Sequence, residues 1–132
     1  MNNIDLMNYW IESSTEDYNV MNVLHNSKKN SYCLFFGQMV IEKLLKALYA
    51  KNNKREPHAP KTHDLLYLAE KMNLEVTEKQ AKALVEITKF NLNTRYDDYK
   101  REFYNQCTDE YTEEQIKKIE EVKAWIETML KE

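Results

Sequence analysis

Apolar residues recur at helical spacing through most of this chain, and the interruptions between them divide it into five helical segments. Leu6, Met7, Trp10, Ile11, Tyr18, Met21 and Leu24 predict a first helix from about Ile4 to Asn26, with Ser13 and Ser14 as its weak point. The second segment, Ser31 to Asn52, is apolar around much of its circumference, at Tyr32, Phe35, Phe36, Met39, Val40, Leu44, Ala47 and Leu48. A helix so enclosed belongs at the centre of a bundle. The loop from Asn53 to Lys61 carries both prolines, Pro57 and Pro60, each of which disfavours helix at the residue before it. A third helix is expected from Thr62 as its N-cap, with Asp64 in the dipole-favoured first turn and Leu65, Leu66 and Leu68 packing it through about Met72. Thr77 to Gln80 reads as a capping box opening a fourth helix, carried on by Ala81, Leu84, Val85 and Ile87. Thr112 to Gln115 reads as the same box opening a fifth, whose seam is Ile116, Ile119, Val122, Ile126, Met129 and Leu130.

One glycine and two prolines in 132 residues leave few helix breakers, so the expected fold class is all-α, an antiparallel up-and-down bundle of four to five helices. The length suits a single domain, residues 1–132, with a substantial core. The lone glycine, Gly37, sits inside the central helix, where it costs up to about 1 kcal/mol against alanine. Close approach of another helix, from this chain or a second subunit, accounts for it. Between the fourth and fifth segments, Asn91 to Tyr111 is the least regular stretch. There Tyr96, Tyr99, Phe103, Tyr104 and Tyr111 interleave with Arg95, Lys100 and Arg101. Aromatics among cations can stack on bases, but Asp97, Asp98, Glu102, Asp109 and Glu110 dilute the positive field, and simple packing is the first of the two readings.

The formal charge of −3 is not that of a protein whose main task is gripping a nucleic-acid backbone, so any such binding must be local. One local excess exists: Lys43, Lys46, Lys51, Lys54, Arg55 and Lys61 against Glu56 alone, either a solvated helix end or a phosphate-facing patch beside His58 and His63. Met1 to Asp5 lack the features of a secretory signal, and no run approaches the roughly 20 apolar residues of a membrane span, so a cytoplasmic protein is expected. Cys33 and Cys107 belong to no Cys-x-x-Cys pair and read as free thiols. With no zinc spacing, Gly-rich phosphate loop or Ser-His-Asp order, no metal and no cofactor are expected.

The polar exception on the central helix is the row Gln38, Glu42 and Lys46, whose four-residue spacing stacks them on one stripe, as a buried network or a site. It is followed by Thr62-His63-Asp64-Leu65 and by Thr94-Arg95-Tyr96-Asp97. In this order the three elements resemble the HEPN family (higher eukaryotes and prokaryotes nucleotide-binding), small helical proteins found in prokaryotic nucleotidyltransferase operons and in some large eukaryotic proteins. The resemblance covers most of the chain and implies a nucleotide- or RNA-binding module. It also implies a homodimer and a nucleotidyltransferase-like partner from a toxin–antitoxin-type operon. The ligand-binding candidates are Glu42, Lys46, His63, Asp64, Arg95 and Tyr96, with ordinary helical ion pairing the competing role for Glu42 and Lys46 and a helix-start hydrogen bond for His63. Arg95 with Tyr96 either anchors the loop after the fourth helix by a guanidinium fork onto Glu42 or Asp64, or binds a ligand.

Ribonuclease members of the family carry Arg-x4-to-6-His late in the bundle, where the histidine does acid-base work and the arginine stabilises phosphate charge. This chain has only His25, His58 and His63, so no histidine follows Arg95, and Arg55 misses the spacing to His58 and His63. No catalytic residue is therefore assigned, and the reading leans away from an enzyme. The alternative is a metal-independent endoribonuclease toxin with a divergent site, in which Arg95, Tyr96 and His63 replace the motif.

Overall fold

The computed structural model describes residues 1–132 as six helices: α1 Asn3–Asn26, α2 Asn30–Asn52, α3 Leu65–Lys71, α4 Glu78–Arg95, α5 Asp97–Gln106 and α6 Asp109–Leu130. Helix α2 is the central element, as its apolar girth requires, with 13 of its 23 residues buried. Its neighbours reveal the directions of the others. Along α1 and α2, Trp10 meets Lys46, Ser14 meets Val40, Asp17 meets Lys43 and Met21 lies beside Gly37, so one number rises as the other falls and the pair is antiparallel. Helix α4 is also antiparallel to α2, through Gln38 with Asn91 and Ser31 with Thr94. Helix α6 instead runs parallel to α2, since Asn30 meets Asp109, Gly37 meets Ile119 and Lys51 meets Met129. The four long helices alternate in direction, the all-α up-and-down bundle that the periodicity predicts, with α3 and α5 set into its connections. No helix is long and apolar enough to cross a membrane.

Gly37 marks where α2 and α6 come closest. A Cβ there would collide with Ile119 Cδ1 and lie 3.3 Å from Met21 Sδ, so the neighbours that exclude a side chain belong to this chain. Ser14, part of the expected weak point of α1, is buried, and its hydroxyl donates to the Val40 carbonyl at 3.0 Å. A polar residue inside the helix thereby becomes a contact between helices. Cys33 and Cys107 are free and buried, and burial pushes the thiols up to about 11 and about 12.

Three boundaries differ from the sequence expectation. Asp64, not Thr62, caps α3: its Oδ1 accepts the Tyr67 N–H at 3.1 Å, while Thr62 Oγ1 accepts the N–H of Asp64. A carboxylate at the cap meets both the free N–H groups and the positive end of the helix dipole. Helix α6 opens a turn early, with Thr108 accepting the Tyr111 N–H at 3.2 Å and Thr112 fully buried inside the helix. The earlier start sets Asp109 and Glu110 in the first turn, where the dipole favours them. Thr77 and Gln80 do form the reciprocal capping box of α4. Finally, the stretch expected to be irregular is helical: α4 continues to Arg95, and α5 follows almost at once. Phe103 fixes α5 by stacking on Phe90 at 5.8 Å, and Tyr111 is half-buried, whereas Tyr96, Tyr99 and Tyr104 stay 50%, 48% and 69% exposed. Packing therefore accounts for only part of that aromatic run.

Candidate functional site

The polar stripe of α2 is a buried network that surfaces at one end. Glu42 is 3% exposed, and its two carboxylate oxygens take three donors. Oε2 accepts from Lys46 Nζ at 3.0 Å. Oε1 accepts from Gln38 Nε2 at 3.1 Å and from His63 Nδ1 at 2.7 Å. A carboxylate stripped of water needs such partners, because an uncompensated charge in the interior costs several kcal/mol. Gln38 Nε2 also donates to the His63 carbonyl at 2.9 Å, and Gln38 Oε1 accepts from Asn91 Nδ2 at 2.9 Å. Asn91 Oδ1 in turn accepts from Arg95 Nη1 at 3.3 Å, and the same Nη1 reaches His63 Nε2 at 3.1 Å. The result is a closed ring of Glu42, Gln38, Asn91, Arg95 and His63, with Lys46 attached.

This ring dictates the histidine's hydrogen-bonding pattern. The Glu42 carboxylate can only accept, so Nδ1 donates, and the Arg95 guanidinium can only donate, so Nε2 accepts. Three elements supply the parts: α2 the acid and amide, the α4 C-terminal turn the asparagine and arginine, and the loop before α3 the histidine. That loop is held by the Gln38 bond to the His63 carbonyl and by Leu65 N–H donating to Thr88 Oγ1 at 3.1 Å. Outside the ring, Arg95 and the half-exposed His63 side chain face solvent. Arg95 uses only Nη1 within the protein, leaving the rest of its fork open.

The six sequence candidates divide accordingly. Glu42, Lys46, His63 and Arg95 are brought together, although Lys46 is shut in, with 14% of its side chain exposed and its ammonium 5.2 Å from the Trp10 ring centre. Tyr96 adjoins the group through its ring, 5.7 Å from the guanidinium carbon of Arg95. Asp64 is engaged as the α3 cap. The anchoring fork of Arg95 onto Glu42 or Asp64 is not formed, because His63 fills the space between arginine and Glu42 and takes the contact itself. Asn91 completes the ring and was not among the candidates. Its signal was an amide one turn before Arg95, amid the buried Ile87, Phe90 and Thr94 of α4.

The lysine excess after Lys43 is mostly structural. Lys43 pairs with Asp17 at 2.7 Å, Lys46 with Glu42, and Lys51 donates to the carbonyls of Met129 and Glu132, completing the C-terminal end of α6. Only Lys54, Arg55 and Lys61 remain without such roles, too few for a patch. A cleft of about 560 Å³ between α4 and α6 shares no residue with the ring.

An up-and-down bundle whose central helix buries an acid, bonded through a loop histidine to a solvent-facing arginine, defines a helical domain with one small polar site at its surface. The HEPN domain family model matches residues 7–129, and the chain belongs to that family. Its fold is similar to the crystal structure of TT1696 from Thermus thermophilus, with a TM-score of 0.79 and 20% identity, over 98% of this chain and 99% of that one. No curated protein matches the chain.

Proposed function

We propose that this chain is a nucleotide- or RNA-binding module, a single HEPN-like helical domain over residues 1–132, that anchors one phosphate at Arg95. The observation that carries the reading is the open side of the Arg95 fork, held in place by His63 and Asn91 at the rim of a buried network. A guanidinium so fixed meets two phosphate oxygens at once with little ordering left to do. On this reading it acts in the cytoplasm with a nucleotidyltransferase-like partner of a toxin–antitoxin-type operon, a pairing that the family resemblance supports. An adjacent reading frame for such an enzyme, and co-purification of its product, would test that pairing.

The test of the site is a titration with a mononucleotide at low and high salt. Arg95→Ala is expected to weaken binding about ten-fold or more, the usual loss for hydrogen bonds to a charged group, and Arg95→Lys to recover only part of it. Because Arg95 is exposed, the loss of thermal stability should be limited to the hydrogen bonds it makes with Asn91 and His63. Equal affinity in the parent and Arg95→Ala would sink the proposal.

A metal-independent endoribonuclease with a divergent site is the second reading. One observation favours it: Glu42 orients the His63 ring with Nε2 toward the surface, as a general base requires. Arg95 occupies that nitrogen, however, so the free site has no available base. Incubation with mixed RNA should leave it intact. Cleavage abolished by both His63→Ala and Arg95→Ala would replace the binding reading with the enzymatic one.

We also propose that the chain pairs with a second copy through its first helix. Met21 is fully buried in its own core and Trp10 lies partly under Lys46, but Tyr9, Val20 and Val23 share an exposed face of α1. Sedimentation at tens of micromolar is expected to give twice the 15.9 kDa of one chain, and a monomer at that concentration would refute it.

A further inference from the structure

Three tyrosines and a lysine lie in a row beside Arg95. Lys100 and Tyr104 are four residues apart and so share one flank of α5, and Tyr96, the extended cap residue before the helix, stands one turn ahead of Lys100. Tyr32, from the first turn of α2, joins them through Lys100, whose ammonium sits 5.9 Å from its ring centre. All three rings are open to water, at 50% for Tyr96, 69% for Tyr104 and 42% for Tyr32. The opposite role on α5 belongs to Phe103, which alone among its aromatics is spent on the core. Scattered exposed tyrosines call for no explanation, but a continuous group interleaved with cations does.

The charges on this flank differ from those of the whole chain. Lys100 and Arg101 line a hollow of about 450 Å³ with Tyr104, Asn105 and Asp97, and Arg95 is joined to this end of the chain through the Tyr96 ring, 5.7 Å from its guanidinium carbon. Two cations there face one carboxylate, while Asp98 and Glu102 fall on the other side of the helix by their position in its turn. Flat rings supply stacking faces that accept any base, and the cations supply attraction to a backbone, the combination by which unpaired strands are held without sequence preference. A duplex hides its base faces and gains nothing from such a surface.

We infer that this flank of α5, with Tyr32 beside it, is a stacking surface for the bases of an unpaired nucleic-acid strand whose phosphate sits at Arg95. The inference rests on the phosphate reading of Arg95 and extends it from a mononucleotide to a strand. Single-stranded RNA of about eight nucleotides, carrying a fluorescent label, is titrated with the full chain by anisotropy, beside the same strand paired to its complement. Phosphate binding at Arg95 is followed separately with a mononucleotide.

The strand should bind about ten-fold or more tighter than the duplex. Tyr104→Ala should weaken the strand by between about five- and 100-fold, the range for loss of one stacked base, and leave the mononucleotide unaffected, whereas Tyr104→Phe should bind as the parent does. Tyr104 is so exposed that neither change threatens folding. Parental strand binding by Tyr104→Ala, combined with loss in Arg95→Ala, overturns the stacking surface and leaves the phosphate site standing. Undiminished binding in Arg95→Ala overturns both. Equal affinity for strand and duplex, or no binding of either, also overturns the surface.

Discussion

Replacing Glu42 by alanine is expected to destabilise the fold by about 3 to 5 kcal/mol, lowering the melting temperature on the order of 10 to 20 °C. The carboxylate takes three hydrogen bonds in the interior, from Lys46, Gln38 and His63. Without it the Lys46 ammonium, largely shut off from water, has no anion beside it, and the Gln38 and His63 donors lose an acceptor. The large loss comes from breaking a buried pair and not from any great strength of the pair as a whole. The combined change Glu42→Leu with Lys46→Met, which removes both charges, should therefore restore much of the stability lost by Glu42→Ala. Glu42→Gln, which keeps shape and one acceptor, should fall between. Denaturant unfolding measures all three, and a Glu42→Ala protein within about 1 kcal/mol of the parent would show that the network does not support the fold.

Enlarging Gly37 is expected to separate α2 from α6. Alanine gains up to about 1 kcal/mol of helix preference, but its methyl occupies the place of Ile119 Cδ1 in a closed core, and overpacking costs about 1 to 3 kcal/mol. Gly37→Ala should thus be destabilising by a small margin, and Gly37→Val, with two further carbons and the valine cost in helix, by about 3 kcal/mol. Ile119→Val removes the clashing atom itself. Alone it should cost about 0.5 to 1.5 kcal/mol, yet in combination with Gly37→Ala it should be less harmful than the sum of the two, because the new methyl fills the space. Strict additivity in that double-mutant cycle would mean that Ile119 is not what excludes a side chain at position 37.

Helix class, the central position of α2 and the Thr77 box were legible in the sequence because they depend on neighbours three or four residues away, and local spacing records such neighbours directly. The stripe of Gln38, Glu42 and Lys46 was legible for the same reason, as was the missing histidine after Arg95, since both concern order along the chain. The partners of these residues were not. His63 is 21 positions from Glu42 and Asn91 is 53 from Gln38, and only the packing of the pre-α3 loop and of α4 against α2 decides that they meet. That packing also placed His63 between Glu42 and Arg95, where direct pairing of acid and arginine was one of the two expectations. It exposed the α5 tyrosines, whose local pattern was compatible with a core, because Phe103 and Phe90 already fill the space beneath them. Which Thr-x-x-x turn opened α6 likewise depended on the bundle, which took Thr112 inside and left Thr108 to cap. The sequence by itself determined which residues are helical and which share a face; the tertiary structure decided which faces touch, and a polar network exists only where they do.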